Sequence, residues 1–264
     1  MVLKNLVIGL PMLTTFGSDE ICEGCQYGKA HRLPFDKSIS RCKSPLELIH
    51  GDLMRPCTTS SYLGSLYMLV LVDDYTRFTW VYFMKEKSEV FFRFKVFKVT
   101  IESVLNKKIK RFRTDNRGEF TSINFHKFCQ EHSIQRELSC AYTQQQNGDG
   151  VSERKIRHLV ETCRSWLYAK NLPKALWAEG MACGAYVINW VPLSSPINMK
   201  SPYELMFEEK PSVKHFKVFG FICYVHMLDA KRTKLDARAQ KCVFIGYDKR
   251  KKGWKCMDPE THKI

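Results

Sequence analysis

The segment Leu66 to Val72, LYMLVLV, is continuously apolar, and it constrains the fold more than any other part of the chain. A strand with no polar face has to lie inside a sheet that is covered on both sides. The run is too short to cross a bilayer as a helix, and Met1 to Leu10 has neither the length nor the cleavage site of a secretory signal, so no membrane role is expected. Asp73-Asp74-Tyr75-Thr76-Arg77 reads as the turn that follows, with Asp73 and Asp74 bonding their own backbone, and Phe78 to Met84 reads as the hairpin partner. Upstream, Leu46 to Leu53 alternates so that Leu46, Leu48, His50 and Asp52 share one face of a strand that Asp52 ends. Three strands in succession predict an antiparallel meander.

The meander is followed by alternating elements. A helix is expected over Glu86 to Leu105, then a strand over Ile109 to Thr114 whose C-terminal end carries Asp115. A short helix over Asn124 to His132 and a fifth strand over Ile134 to Leu138 come next. The loop from Tyr142 runs into a basic helix, with Asp149 as the expected N-cap and Glu153 in the first turn. On that helix Ile156, Leu159, Val160, Cys163 and Leu167 recur at core spacing, leaving Arg154, Lys155, Arg157 and His158 on the exposed side. Pro173 opens another helix, through Trp177 to Trp190. The order predicts an α/β architecture around one mixed five-stranded sheet flanked by helices. Prolines at 192, 196, 202 and 211 mark a connector around a short helix near Tyr203 to Phe207. Beyond it, Val218 to Val225, Lys241 to Tyr247 and Gly253 to Met257 read as a small β-rich appendage.

With 42 Lys and Arg against 27 Asp and Glu, the formal charge of +15 points to a polyanionic partner, most simply nucleic acid, with a solubilising surface as the alternative. The excess is concentrated in Lys85 to Arg113, ten basic against three acidic residues, and in Lys231 to Lys255, ten against two. Eleven cysteines at irregular spacing fit a reduced, intracellular chain better than a disulfide scaffold. Cys22 and Cys25 have the spacing of half a tetrahedral zinc site, and equally that of two reduced cysteines in a loop.

Three acids stand out by position: Asp52, Asp115 and Glu153. Strand ends of an α/β sheet converge on one edge, where sites are built. Carboxylates gathered there repel unless divalent cations lie between them, and two such ions can flank a phosphodiester. Asp73, Asp74 and Glu119 compete on residue type alone, and Glu153 among so many cations also reads as a neutralised surface charge.

IHGDLMRP, LVDDYTRFTWVYFMKEKSE, RTDNRGEF, YTQQQNGDGVSERKIRHLVETCRSWLYAKNLPKALWAEG, SPYELMF, KPSVKHFKVFG and KLDARAQKCVFIGY resemble, in order and over almost the whole chain, the landmarks of the integrase region in copia-type LTR retrotransposon Pol polyproteins. The resemblance implies a ribonuclease H-like catalytic core over 44–192, whose D,D,E triad of catalytic metal ligands falls on Asp52, Asp115 and Glu153. It implies that 1–43 is the cysteine half of an HHCC zinc module, truncated before its histidines, with Cys22 and Cys25 as the zinc ligands present. The region 193–215 is then a connector and 216–264 a basic β-rich C-terminal region. The implied reaction is DNA strand transfer, in which the 3′-hydroxyl of an element end attacks a phosphodiester of target DNA. It uses two Mg²⁺ or Mn²⁺ ions, with Zn²⁺ only where the missing histidines are restored.

By the same resemblance Asn147, Gly148, Arg154, Lys155 and Arg157 contact DNA, for which turn chemistry and a solvated helix face are the plain alternatives. Expected partners are element ends and target duplex, further copies of the chain, and the protease and reverse transcriptase regions of Pol. The expected location is the nucleus after a cytoplasmic virus-like-particle stage. The chain departs from the family pattern at Arg117, which precedes Gly118 where glycine is usual, and at Gln144, which replaces a proline. Asp149-Gly150 reads as an insertion, so that Asp115 and Glu153 are separated by 153 − 115 = 38 positions, more than is usual. A lengthened loop would absorb it and leave Glu153 in place. Two other readings follow from these departures and the fold: a degenerate copy that binds DNA without chemistry, and a nuclease that hydrolyses nucleic acid instead of joining it.

Overall fold

The computed structural model describes residues 42–115, 118–138, 150–192, 199–248 and 253–264. The chain separates into two compact units, Met1–Lys37 and Ser38–Ile264, and every described residue belongs to the second. Cys22 and Cys25 therefore lie outside the described residues, as do Asn147, Gly148, Arg117, Gln144 and Asp149.

Strands β1 (Leu48–Met54), β2 (Tyr67–Asp73), β3 (Thr79–Met84), β4 (Arg111–Thr114) and β5 (Gln135–Leu138) form one sheet in the order β3-β2-β1-β4-β5. The first three are an antiparallel meander, and β1, β4 and β5 run parallel. Between β3 and β4, which run in the same direction, the chain crosses over through helix α1 (Val90–Leu105), and between the paired parallel strands β4 and β5 through α2 (Ile123–Glu131). Helices α3 (Val151–Ala169) and α4 (Trp177–Trp190) follow.

The sidedness of β2 explains its composition. Leu69 and Leu71 enter a core with Ile49, Phe94, Phe97, Ile101, Phe112 and Phe125, on the side of α1 and α2. Met68, Val70 and Val72 enter a second core with Val151, Leu159, Cys163, Trp177 and Met181, on the side of α3 and α4. Both faces of one strand are thus removed from water, so alternation is lost and the run is apolar throughout. Gly51 of β1 lets the chain close up: a Cβ there would stand 2.7 Å from Cζ of the buried Phe112 ring.

The edge strand β3 is blocked by a side chain. The Asn189 amide of α4 accepts from Thr79 N and donates to Thr79 O, both at 2.8 Å, which occupies groups that a further strand would otherwise pair with. After the short helix α5 (Pro202–Phe207), strands β6 (Ile222–His226), β7 (Ala239–Tyr247) and β8 (Trp254–Met257) form a separate three-stranded antiparallel sheet in the order β6-β7-β8. A third core, Leu176, Cys183, Phe219, Phe244, Ile245 and Met257, packs α4 against β7.

Several boundaries shift by a few residues, the helix expected from Glu86 beginning as α1 at Val90 and the strand expected from Ile109 beginning at Arg111, and two further shifts bear on the fold. The strand expected from Val218 begins at Ile222, because Phe219 turns into the third core and Gly220 takes a φ of +80°, a conformation incompatible with a strand. Strand β1 runs on to Met54, so Asp52 lies within its last turn of pleat instead of ending it. No helix among the described residues is long and apolar enough to cross a membrane.

Candidate functional site

The site is built outward from β1 and β4. Their parallel register pairs His50 with Arg113 and Gly51 with Thr114, so the next step along both strands brings Asp52 beside Asp115. Neighbouring strands are about 4.8 Å apart, and adjacent residues point to opposite faces. Asp52 shares the face of His50 and Met54, and Met54 packs into the core beneath α3 and α4. Asp115 shares the face of Arg111 and Arg113, the same side of the sheet. Both aspartates are half-buried. Two carboxylates side by side near the C-terminal ends of parallel strands raise each other's cost of ionisation unless a cation stands between them, and that oxygen donor set fits a hard divalent metal.

Glu153 approaches from the helix. Gly150, not Asp149, is the N-cap of α3, in the left-handed conformation at φ 56°, and Glu153 falls in the first turn. Glycine is favoured at such a φ because it has no Cβ to clash. The Glu153 side chain turns back along the helix, with Oε2 3.6 Å from the position of a Gly150 Cβ, and Oε1 stands 3.6 Å from the Arg157 guanidinium. It remains 51% exposed. Among the described residues, no group of three or more His, Cys, Asp or Glu side chains is close enough to hold a metal ion. The structure therefore brings Asp52 and Asp115 together on one face and sets Glu153 on the helix that covers that face, without joining its carboxylate to theirs.

Of the basic residues expected on the exposed side of α3, Arg154 and Arg157 are exposed and Lys155 is not. Val151, Lys155, Leu159 and Cys163 recur every four residues, and the other three are buried, so Lys155 lies within the apolar stripe. Burial, and then Arg77 nearby, pushes the Lys155 ammonium below the usual lysine range. The i, i+4 spacing from Val151 was the available signal.

Sequence reasoning missed a polar cluster on the same face of β1. His50, two residues before Asp52 on the same face, is 3% exposed, and its Nε2 is 2.9 Å from Asp74 Oδ1. Asp74 also accepts from Cys42 N and pairs with Arg77 at 3.3 Å. Burial lowers the His50 pKa against the opposing pull of Asp74, and Nε2 donates to the carboxylate. Burial alone would raise the Asp74 pKa, but the His50 hydrogen bond and the Arg77 charge outweigh it and hold the group well below the usual carboxylate range. Asp73 is fully buried and accepts from Leu46 N, Thr76 N and Thr76 Oγ, the turn role expected of it. Burial raises its pKa against those hydrogen bonds.

Four of the ten cations in Lys85 to Arg113 are taken up by the pairs below, while Lys85, Lys87, Lys107, Lys108 and Lys110 stay exposed. Arg93 pairs with Glu89, the buried Lys98 with Glu102, and Arg111 and Arg113 both with Glu137. The four basic residues 249–252 lie outside the described residues.

Comparison with known proteins supplies what geometry alone does not. Residues 43–144 match the integrase core domain family, and residues 221–264 match the retroviral polymerase SH3-like domain family. The chain is 37% identical over 243 residues to the retrovirus-related Pol polyprotein from transposon TNT 1-94 of Nicotiana tabacum, an alignment covering 92% of this chain and 18% of that protein. It is 32% identical over 243 residues to the Pol polyprotein from transposon RE1 of Arabidopsis thaliana, covering 92% and 16%. The chain thus spans less than a fifth of the relatives it matches. Among solved structures, a simian T-cell lymphotropic virus intasome in complex with the PP2A regulatory subunit B56 gamma contains a chain of the same fold. Its TM-score is 0.55, over 89% of this chain and 84% of that one, at 16% identity. The mixed five-stranded sheet with its flanking helices is the ribonuclease H-like integrase fold, carrying a separate three-stranded sheet at its C-terminal end.

Proposed function

Because this chain belongs to the integrase region of retrovirus-related transposon Pol polyproteins, we propose that it is of the copia type and catalyses DNA strand transfer, joining element DNA to a target duplex. The observation that carries the reading is the register of β1 and β4, which sets Asp52 beside Asp115 on the face that α3 covers. Asp52, Asp115 and Glu153 would hold two Mg²⁺ or Mn²⁺ ions, whose charge would activate the attacking 3′-hydroxyl and stabilise the leaving oxygen. To join the aspartates Glu153, which is exposed, would have to leave Arg157.

The chain's own residues supply placement. His50, two residues before Asp52 on the same face of β1, donates to Asp74, which Arg77 also pairs with. Arg154 and Arg157, exposed on the first turns of α3, would hold phosphate backbone without reading sequence, together with Asn147 and Gly148 of the preceding loop. Lys155 would act from a second rank, beside Arg77.

The proposal extends to partners and place. They are element ends and target duplex, further copies of the chain, and the protease and reverse transcriptase regions of Pol. The chain would act in the nucleus after a virus-like-particle stage in the cytoplasm. Residues 1–43 would contribute Cys22 and Cys25 to a zinc site when histidines precede them, 44–192 the catalytic core, 193–215 a connector and 216–264 a basic C-terminal region.

One observation favours a second reading, a degenerate copy that binds DNA without chemistry: Glu153 pairs with Arg157 and stands outside any three-carboxylate cluster of the described residues. Strand transfer assayed with labelled DNA ends in Mg²⁺ and Mn²⁺ separates the two. The joining reading expects transfer by the parent and none by Asp115→Asn, and an Asp115→Asn protein as active as the parent refutes the assignment. The second expects salt-sensitive DNA binding with no transfer in either metal. Offering water or a DNA 3′-hydroxyl as nucleophile distinguishes joining from hydrolysis.

A further inference from the structure

Strands β6 and β8 are the two edges of the C-terminal sheet, and each carries a cysteine facing the same side. Cys223 on β6 is in register with Cys242 on β7, Cys256 on β8 is in register with Phe244, and Cys242 and Phe244 are two residues apart on one face of β7. The sheet curls enough that the Cys223 and Cys256 sulfurs meet across β7 at 3.3 Å, although the residues are 33 apart in sequence. Both are half-buried, within reach of a small oxidant, whereas Cys242 is buried. A disulfide needs sulfurs about 2.05 Å apart, so the two sulfurs already stand close to bonding distance.

We infer that Cys223 and Cys256 form an oxidation-sensitive thiol pair that closes to a disulfide under a hydroperoxide and staples the first and last strands of the C-terminal sheet. Burial, followed by the contact with Cys223, pushes the Cys256 thiol up to about 12, and either sulfur of the pair can open the reaction, as follows with Cys223 first. The Cys223 thiolate attacks the peroxide, the O–O bond breaks, hydroxide leaves, and a sulfenic acid forms on Cys223. The Cys256 sulfur then attacks the sulfenic sulfur, the S–O bond breaks, and the Cys256 thiol proton departs with the leaving hydroxide as water. Two thiols are oxidised, one peroxide is reduced, and two waters are released. The reverse step requires a dithiol reductant. The inference stands apart from the strand-transfer reading, since it involves neither Asp52, Asp115 nor Glu153.

The test is to treat the folded chain with hydrogen peroxide, block the remaining thiols by alkylation, and map cross-linked peptides by mass spectrometry. A Cys223–Cys256 link that dithiothreitol removes is expected. It should be lost in Cys223→Ser and in Cys256→Ser and kept in Cys242→Ser, with the oxidised parent melting several degrees above the reduced one because the closed loop restricts the unfolded chain. Mapping on the parent protein decides the matter even if a serine variant fails to fold. A link from Cys223 to Cys242, links only between chains, or no link at doses that oxidise Cys57 would overturn the inference.

Discussion

Gly51→Ala tests whether the close approach of β1 to the phenylalanine core is what seats Asp52. The new methyl would stand 2.7 and 2.8 Å from Cζ and Cε2 of Phe112 and 3.3 Å from Leu71 Cδ2. Phe112 cannot move aside: it is fully buried, with its ring centroid 4.4 Å from Phe94, 5.8 Å from Phe125 and 6.0 Å from Phe120. Overpacking of this kind costs about 1–3 kcal/mol. Replacing a strand glycine by alanine returns about 0.5–1 kcal/mol of backbone entropy. With Phe112 confined on three sides the upper part of that steric range applies, about 2–3 kcal/mol, for a net loss of about 1–2.5 kcal/mol. Urea unfolding should show a lower midpoint with an unchanged slope. In a double-mutant cycle, Phe112→Leu should relieve the clash, with a coupling of about 0.5–3 kcal/mol. A Gly51→Ala protein within about 0.5 kcal/mol of the parent, additive with Phe112→Leu, would refute the reasoning.

Other consequences are equally direct. The folded His50 pKa lies below its unfolded value of 6.5, so the unfolded chain binds the extra proton first, and stability falls as pH drops below that value. Denaturation midpoints compared between neutral pH and pH about 5 should show this loss in the parent and much less of it in His50→Gln. Asn189→Ala strands a buried N–H and a buried C=O of Thr79 and should cost about 2–4 kcal/mol in chemical denaturation. Lys155→Met removes a half-buried cation that faces Arg77 and should raise the melting temperature, the gain corresponding to about 1 kcal/mol or less. A purely solvent-facing Lys155 would leave that temperature unchanged.

Element order was legible because apolar patterning is local. Leu66 to Val72 could only be an inner strand, and the meander, both crossover helices and the late strands followed from periodicity and turn residues. Helix α3 was legible in type but not in orientation. Counting Ile156 and Leu159 as its inner face placed Lys155 outside, whereas the inner stripe also runs through Val151. The polar cluster was hidden for another reason. His50 and Asp74 are 24 residues apart, and nothing in either segment records that antiparallel pairing of β1 with β2 brings them within 2.9 Å.

Sequence by itself therefore determined which residues are strands and helices, which acids lie near strand ends, and which family the motifs resemble, since each rests on neighbours along the chain. Only the tertiary structure decided which charges meet. The parallel register sets Asp52 beside Asp115, Glu137 takes up Arg111 and Arg113, and the first turn of α3 directs Glu153 toward Arg157. Register and helix rotation are fixed by burying two different cores on the two faces of one sheet, and that energy is shared among residues far apart in sequence.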